Sequence, residues 1–128
     1  MTPNKEAVTR YVDGFRRGDR GAILACLAED VTWEIPGHVS RRGKAEFDRE
    51  IENEGFTGHP EIEIERLVEE GDVVVAEGSV RHTRVVGAPL HARFCDVFHM
   101  EQGLIKRLTS YLVQMPAGSA EVTAAAGG

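Results

Sequence analysis

The chain has 128 residues, of which 41% are hydrophobic and 28% are charged, so it can form one domain with a real core but not two. Its formal net charge of −6 argues against non-specific nucleic-acid binding, which needs a basic surface. No apolar run approaches the roughly 20 residues of a membrane span, and the N-terminal segment is too charged for a signal peptide; we therefore expect no membrane association and a cytoplasmic location.

An amphipathic helix is predicted over residues 4–17. Tyr11 and Phe15 lie at helical spacing on its apolar face. Asn4 is a possible N-cap, and Gly18 is a plausible residue to end the helix in the left-handed conformation. We expect the apolar face to pack against the rest of the domain.

Three more elements are predicted before residue 56. Residues 18–30 indicate a second, shorter helix, and the alternation of residues 31–36 indicates a short strand that its final proline stops. Residues 36–43 are predicted as a loop, and residues 44–55 as a third helix that ends at a glycine.

The second half of the chain is predicted to be all strand. Four consecutive strands joined by short turns indicate an antiparallel meander, within residues 61–70, 70–87, 91–100 and 104–115. A sheet with one apolar face must be covered, and the three helices can cover it. The sequence therefore predicts a single α+β domain over residues 1–115 with a cavity between helices and curled sheet, followed by a flexible tail, residues 116–128.

The stretch HARFCDVFHM places Asp96 in the middle of an apolar stripe. The residues that share its side of the strand are Leu90, Ala92, Phe94, Phe98 and Met100. A carboxylate there must be paired, hydrogen-bonded, reached by water or protonated. It could simply accept bonds from an arginine or a backbone donor, or a register slip could turn it outward. Alternatively it lies at the cavity floor, as a hydrogen-bond donor when protonated and a general base when ionised.

Three further side chains are candidates for the site. Tyr11 faces the predicted cavity and needs a partner for its hydroxyl, unless it is a core residue with a solvated tip. His82 shares the more apolar side of its strand and points inward unless a bulge reverses that strand. His38 lies in a loop that could overhang the cavity mouth or be solvated, and His59 is predicted as a solvated loop residue.

No metal site and no cofactor are expected. The histidines and carboxylates lack metal-ligand spacing, and the sequence contains no phosphate-binding or dinucleotide-binding glycine motif. Cys26 and Cys95 are far apart and are predicted to be reduced thiols.

The segments YVDGFRRGDRGAILACLAEDVTWEIPG and FCDVFHMEQGLIKRLTSYL resemble the nuclear transport factor 2-like superfamily. The branch they resemble contains ketosteroid isomerases, limonene-epoxide hydrolases and SnoaL-like polyketide cyclases. The resemblance extends to about Met115 and implies a cone in which a curved antiparallel sheet and three helices surround an apolar pocket.

The resemblance carries over to some site residues and not to others. In ketosteroid isomerases a tyrosine and an aspartate form the oxyanion hole, and Tyr11 and Asp96 fall at those positions, but Ile35 stands where the base would be. In epoxide hydrolases an arginine and two aspartates are needed, and the matching positions look like Gly78, Val80 and Ser110. SnoaL-type cyclases use an acid/base residue in the pocket, a role that Asp96 could fill.

These observations favour a cofactor-independent enzyme that performs enolate-type isomerisation, cyclisation or dehydration on a hydrophobic, oxygenated small molecule. Asp96 and Tyr11 would stabilise charge on a carbonyl oxygen, and His82 or His38 would move the proton. The expected pocket residues are Phe15, Trp33, Ile35, Phe47, Phe94, Phe98, Leu108, Ser110 and Leu112. The alternative is a non-catalytic binding protein with the same pocket, and epoxide hydrolysis is disfavoured. A homodimer through the outer sheet face, which includes Val97 and Tyr111, is also expected.

Overall fold

The structure, a computed structural model, describes residues 1–51 and 55–116. Within these ranges it contains three helices and six strands. In chain order they are α1 (Pro3–Arg17), α2 (Arg20–Ala25), β1 (Leu27–Ile35), β2 (Val39–Arg42), α3 (Gly43–Ile51), β3 (Phe56–Glu70), β4 (Val73–Arg84), β5 (Leu90–Glu101) and β6 (Leu104–Gln114). None of the helices in the described ranges is long and apolar enough to span a membrane.

The strands form one curved, unclosed sheet in the order β2-β1-β6-β5-β4-β3. The last four strands are the predicted antiparallel meander. β1 joins β6 in parallel, and this is the one parallel pairing among the described strands. The helices cover one face, with α1 packed against β3 at one end of the sheet and α3 against β1 at the other. The predicted α+β architecture is confirmed.

The predicted N-cap of the first helix is wrong by two residues. Thr2 caps α1, because its side-chain oxygen accepts a hydrogen bond from the Lys5 N–H at 3.2 Å. Pro3 occupies the first helical turn, where its fixed φ and missing N–H favour helix initiation, so Asn4 already lies inside the helix. At the other end Gly18 adopts φ 66° and closes the helix as predicted.

Tertiary pairing shortens the second helix and adds a strand to the predicted loop. The helix predicted over residues 18–30 ends at Ala25, because Leu27 already pairs with Ile105 of β6. Residues 39–42 of the predicted loop form β2, which pairs antiparallel with β1. The third helix ends at Ile51 in the described residues.

Two predictions concern residues outside those described. The predicted third helix runs through residues 52–54 to Gly55, and the predicted flexible tail covers residues 116–128. The structure describes neither residues 52–54 nor residues 117–128.

On β4 and β5, the residues that face the interior are the ones that the alternation of the sequence predicts. Their register is continuous from the pair Val73–His99 to the pair His82–Leu90, so no bulge between these strands reverses a face. A bulge lies instead on β3, opposite Gly78. A Cβ atom at that glycine would stand 1.9 Å from the carbonyl oxygen of Glu63, so no side chain fits there.

Candidate active site

The helices and the sheet enclose a cavity of about 510 Å³, which is within the usual size of small-molecule sites. Most of its wall is apolar, including Phe15, Ile23, Trp33, Ile35, Val39, Ile51, Phe56, Val80, Leu90, Phe94 and Leu112. Six side chains with polar groups also line it: Tyr11, Glu50, His59, His82, Asp96 and Ser110. A mostly apolar cavity with a few convergent polar groups is suited to a hydrophobic molecule that carries oxygen.

Asp96 lies on the cavity side of β5, between the buried residues Phe94 and Phe98. Burial among apolar groups raises the pKa of its carboxyl group from 3.8 to about 7, and a hydrogen bond from Ser110 partly opposes that rise. No arginine or lysine in the described ranges forms an ion pair with it. The carboxyl group therefore populates both protonation states near neutral pH, which is the condition for acid/base work.

Ser110 on β6 connects the carboxyl group of Asp96 on β5 to the neighbouring strand β1. It is the direct cross-strand partner of Asp96 and is only 5% exposed. Its Oγ accepts a hydrogen bond from the indole Nε1 of Trp33 at 3.0 Å. The three strands β1, β6 and β5 thus each contribute one side chain to a short polar chain in the cavity wall.

Tyr11 reaches the cavity from α1 and is 6% exposed. Its ring makes edge-to-face contacts at centroid distances of 5.1 to 6.2 Å with Phe15, Phe47 and Phe98. Burial first, and then the charge of Asp96, raise the pKa of its hydroxyl well above the usual value. The hydroxyl therefore stays protonated, and it forms no hydrogen bond within the described residues, so its hydrogen is free for a ligand.

The structure separates His82 from Asp96. His82 lines the cavity, donates from Nε2 to the carbonyl oxygen of Gly58 at 2.9 Å and stacks on Phe56 at 4.5 Å. Its partner on β5 is Leu90, six residues from Asp96, which corresponds to about 20 Å of extended strand. The two groups lie at different ends of the cavity and do not meet at one reacting atom.

His38 does not line the cavity, so of its two predicted alternatives the structure shows the exposed residue and not the one that overhangs the mouth. It is exposed in the turn between β1 and β2, where its backbone N–H donates to the carbonyl oxygen of Ile35 at 2.9 Å. Because β2 pairs back onto β1 directly after this turn, the turn projects beyond the sheet.

The predicted pocket residues divide between the cavity wall and the core behind it. Those in the wall are Phe15, Trp33, Ile35, Phe94, Ser110 and Leu112. Phe47, Phe98 and Leu108 do not line the cavity; each is at most 1% exposed and packs in the core. Strand and helix periodicity identifies the inward side, but it cannot separate a cavity wall from the layer behind it.

Two of the polar wall residues, Glu50 and His59, are not predicted by the sequence. Glu50 lies one helical turn after Phe47, a spacing that could have indicated its inward position, and its carboxylate pairs with Arg41 at 2.6 Å. His59 was predicted as a loop residue because β3 begins five residues earlier than its alternation suggests. Its ring packs over Gly18, where a Cβ atom would stand 2.5 Å from Nε2.

The described part of the chain contains no group of three or more histidine, cysteine, aspartate or glutamate side chains placed to hold a metal ion. Cys26 and Cys95 are free thiols.

Comparison with known proteins agrees with this fold. The sequence model of the SnoaL-like domain family matches residues 8–108. A search of curated proteins found no match. Among solved structures, an LEH-like epoxide hydrolase from M. tuberculosis is similar with a TM-score of 0.78, at 20% identity over 87% of this chain and 83% of that one.

Two other similar structures carry provisional assignments. A protein from Kribbella flavida, provisionally assigned as a ketosteroid isomerase, has a TM-score of 0.69 and 22% identity over 94% of this chain and 87% of that one. A protein from a Silicibacter species, provisionally assigned as a polyketide cyclase, has a TM-score of 0.72 and 24% identity over 86% and 88%. At such identities the likeness shows a shared fold, which hosts several chemistries.

Proposed function

The chain belongs to the family of SnoaL-like domains, in the nuclear transport factor 2-like superfamily, and on this premise we propose that it is a cofactor-independent acid/base enzyme. Its substrate is a hydrophobic small molecule with a carbonyl group, bound in the cavity of about 510 Å³. The reaction is an isomerisation or a cyclisation that proceeds through an enolate. The observation that carries this proposal is a carboxyl group with a pKa of about 7 in the wall of an apolar cavity.

Asp96 is the group that moves the proton. As the carboxylate it removes a hydrogen ion from the carbon next to the substrate carbonyl, and the electron pair of the broken C–H bond passes into the enolate. As the carboxylic acid it returns that proton to another atom of the same molecule. Neither charge nor atoms are left over, and one group serves both steps because its pKa is close to the ambient pH.

Tyr11 stabilises the enolate oxygen. Its hydroxyl lies in the cavity wall, keeps its proton and is not engaged by any described residue, so it can donate to the oxygen where negative charge develops. The surrounding aromatic rings exclude water, and a hydrogen bond is worth more in such surroundings. Tyr11 and Asp96 thus divide between them the roles of oxyanion donor and base.

The two histidines are not assigned to proton transfer. His38 lies outside the wall, and His82 is about 20 Å of strand from Asp96 with Nε2 committed to the carbonyl oxygen of Gly58. His82 instead contacts the far end of an extended ligand. This assignment replaces the expectation that a histidine acts as the base in place of a residue at position 35, where the chain has Ile35.

Isotope exchange tests the proposal without knowledge of the natural product. In deuterium oxide, the protein should accelerate exchange of the hydrogens next to the carbonyl of a bicyclic ketone such as β-tetralone, followed by NMR. Asp96→Asn should lose the acceleration and still bind the ketone. Asp30→Asn is the matched control, because Asp30 is an exposed carboxylate paired with Lys106. Equal exchange rates for wild type and Asp96→Asn would overturn the proposal.

A non-catalytic binding protein is the second candidate. The observation that favours it is that Ile35, an apolar residue, lines the cavity wall. The resemblance to ketosteroid isomerases implies that the base would stand at this position. A binder would take up β-tetralone and similar ketones stoichiometrically while the exchange rate stayed at its uncatalysed value. Titration calorimetry beside the exchange assay separates the two candidates.

Epoxide hydrolysis is not proposed, because the positions implied for its catalytic side chains do not carry them. Gly78 has no space for any side chain beside the carbonyl oxygen of Glu63. Val80 is aliphatic, and Ser110 carries a hydroxyl, in place of a carboxylate, that already accepts a hydrogen bond from Trp33.

We also propose that two copies of the chain pair through the outer face of the sheet. Tyr111 and Val113 on β6 are 52% and 65% exposed on this face, and Val97 of β5 is partly exposed beside them. Exposed aromatic and aliphatic groups on one sheet face are typical of a subunit interface.

A further inference from the structure

Three side chains on three neighbouring strands form a connected polar chain in the cavity wall. Trp33 lies on β1, Ser110 on β6 and Asp96 on β5. The Nε1 atom of Trp33 is 3.0 Å from the Oγ atom of Ser110, and Ser110 is the direct cross-strand partner of Asp96. The hydrogen bond that each of these side chains makes therefore limits the hydrogen bonds that the next side chain can make.

The direction of the hydrogen bonds follows from the chemistry of the groups. An indole nitrogen can only donate, so the oxygen of Ser110 must accept from Trp33. The hydroxyl hydrogen of Ser110 then needs an acceptor of its own, and at 5% exposure bulk water does not supply one. The carboxylate of Asp96, directly across the ladder, is the acceptor in place, and its hydrogen bond with Ser110 stabilises the ionised form.

We propose that Trp33 is a positioning residue for the acid/base group: its N–H fixes the hydroxyl of Ser110 so that this hydroxyl donates to the carboxylate of Asp96. The inference rests on the proposed function, because it assigns a purpose to the orientation of the Asp96 carboxyl group. One carboxylate oxygen is held by Ser110, which leaves the other to face the cavity and exchange a proton with the substrate. Without Trp33 the hydroxyl of Ser110 is free to rotate and the carboxyl group loses this fixed orientation.

The test measures the titration of Asp96 directly, by the NMR resonance of its Cγ carbon in protein labelled with isotopically enriched aspartate. The resonance is identified by its absence from Asp96→Asn. Ser110→Ala should move the titration midpoint upward by about one pH unit, since a hydrogen bond to the charged form is lost. Ser110→Thr keeps the hydroxyl and should leave the midpoint unchanged.

Trp33→Phe is the decisive variant. It removes the N–H that orients Ser110 and should move the midpoint upward, by less than Ser110→Ala does. In the double variant Trp33→Phe/Ser110→Ala the midpoint should equal that of Ser110→Ala alone, because Trp33 acts only through Ser110. Phe15→Leu, a change of another ring in the cavity wall, is the control and should leave the midpoint in place.

The outcomes separate this inference from the proposed function. A wild-type midpoint near the ordinary value of an aspartate would remove the basis of the proposed function and of the inference together. A midpoint near 7 that Trp33→Phe does not move, or that shifts additively in the double variant, would overturn the inference alone. If Trp33→Phe does not fold, the Ser110→Ala and Ser110→Thr pair decides: equal midpoints for these two variants overturn the inference, and a rise confined to Ser110→Ala supports it.

Discussion

Tyr11 and Asp96 come from opposite layers of the fold, α1 and β5, and line the same cavity so closely that the charge of Asp96 raises the pKa of the Tyr11 hydroxyl. Repulsion between a carboxylate and a phenolate keeps the tyrosine protonated whenever the aspartate is ionised. The pair therefore offers a base and a hydrogen-bond donor at the same time, and enolate formation needs both.

Removing the Tyr11 hydroxyl should reduce catalysis and leave the fold intact. Tyr11→Phe keeps the ring, which packs against Phe15 and Phe98, and removes a hydroxyl that no described residue engages. The loss of one oxyanion donor should lower the ketone exchange rate by about 10²-fold to 10³-fold. Unfolding in urea should change by less than about 1 kcal/mol. An unchanged exchange rate would remove Tyr11 from the mechanism.

The exchange rate should rise with pH and reach a plateau above about 7, the pKa of Asp96. Only the ionised carboxylate can remove a hydrogen ion from carbon, so the rate follows its fraction. The measurement is a series of exchange rates across this range, with the uncatalysed rate subtracted at each pH. A rate that falls as pH rises would show that the protonated acid is the working form and would assign Asp96 to the oxyanion instead.

Gly78 should tolerate no side chain. A Cβ atom there would stand 1.9 Å from the carbonyl oxygen of Glu63 at the β3 bulge, so Gly78→Ala must displace a paired backbone. We expect a loss of at least about 2 kcal/mol in the free energy of unfolding. Gly21→Ala is the matched control: its nearest contact is Asp19 Oδ1 at 3.7 Å, and α2 accepts alanine. Equal stability of the two variants would contradict the steric argument.

The sequence predicted much of the architecture because hydrophobic alternation is a local signal. The long strands and the inward position of Asp96 follow from the period of two along β5. The early end of α2 and the existence of β2 do not follow, because both depend on pairing with distant residues such as Ile105. The local sequence does not show which distant segment of the chain a strand will pair with.

The sequence could predict which face of its own strand or helix each site residue occupies, but not how residues on different elements are placed relative to one another. Periodicity placed Tyr11 and His82 on inward faces, but the distance between His82 and Asp96 needs the register of two strands. The link from Trp33 to Ser110 needs the parallel contact of β1 with β6, for which the sequence has no local sign. Polar connections across strands are therefore the part of the site that a structure adds.

Pairing through the outer sheet face should be sensitive to charge at its centre. Tyr111→Glu places a carboxylate on that face, where a second copy would have to desolvate it. In sedimentation velocity the wild type should sediment as a dimer and this variant as a monomer. Val85→Glu is the control, since Val85 is 62% exposed in the segment between β4 and β5, outside the strands of that face. A wild type that sediments as a monomer would remove the proposed interface.

Asp96 should make the protein less stable as pH rises. Its carboxyl group has a pKa of about 7 when folded and 3.8 as the ordinary value, so between these limits the folded state holds a proton that the unfolded state has released. The unfolding free energy contributed by this group therefore falls as pH rises through this window and is constant on either side of it.

Comparison with Asp96→Asn isolates that contribution from the other titrating groups, because asparagine does not ionise. Between about pH 5 and about pH 8, the stability of Asp96→Asn relative to wild type should increase by about 3 kcal/mol. Urea unfolding of both proteins at the two pH values measures it. Parallel pH dependence in the two proteins would mean that the carboxyl group titrates in the ordinary acidic range, and with that result the cavity would no longer contain a base poised for proton transfer at neutral pH.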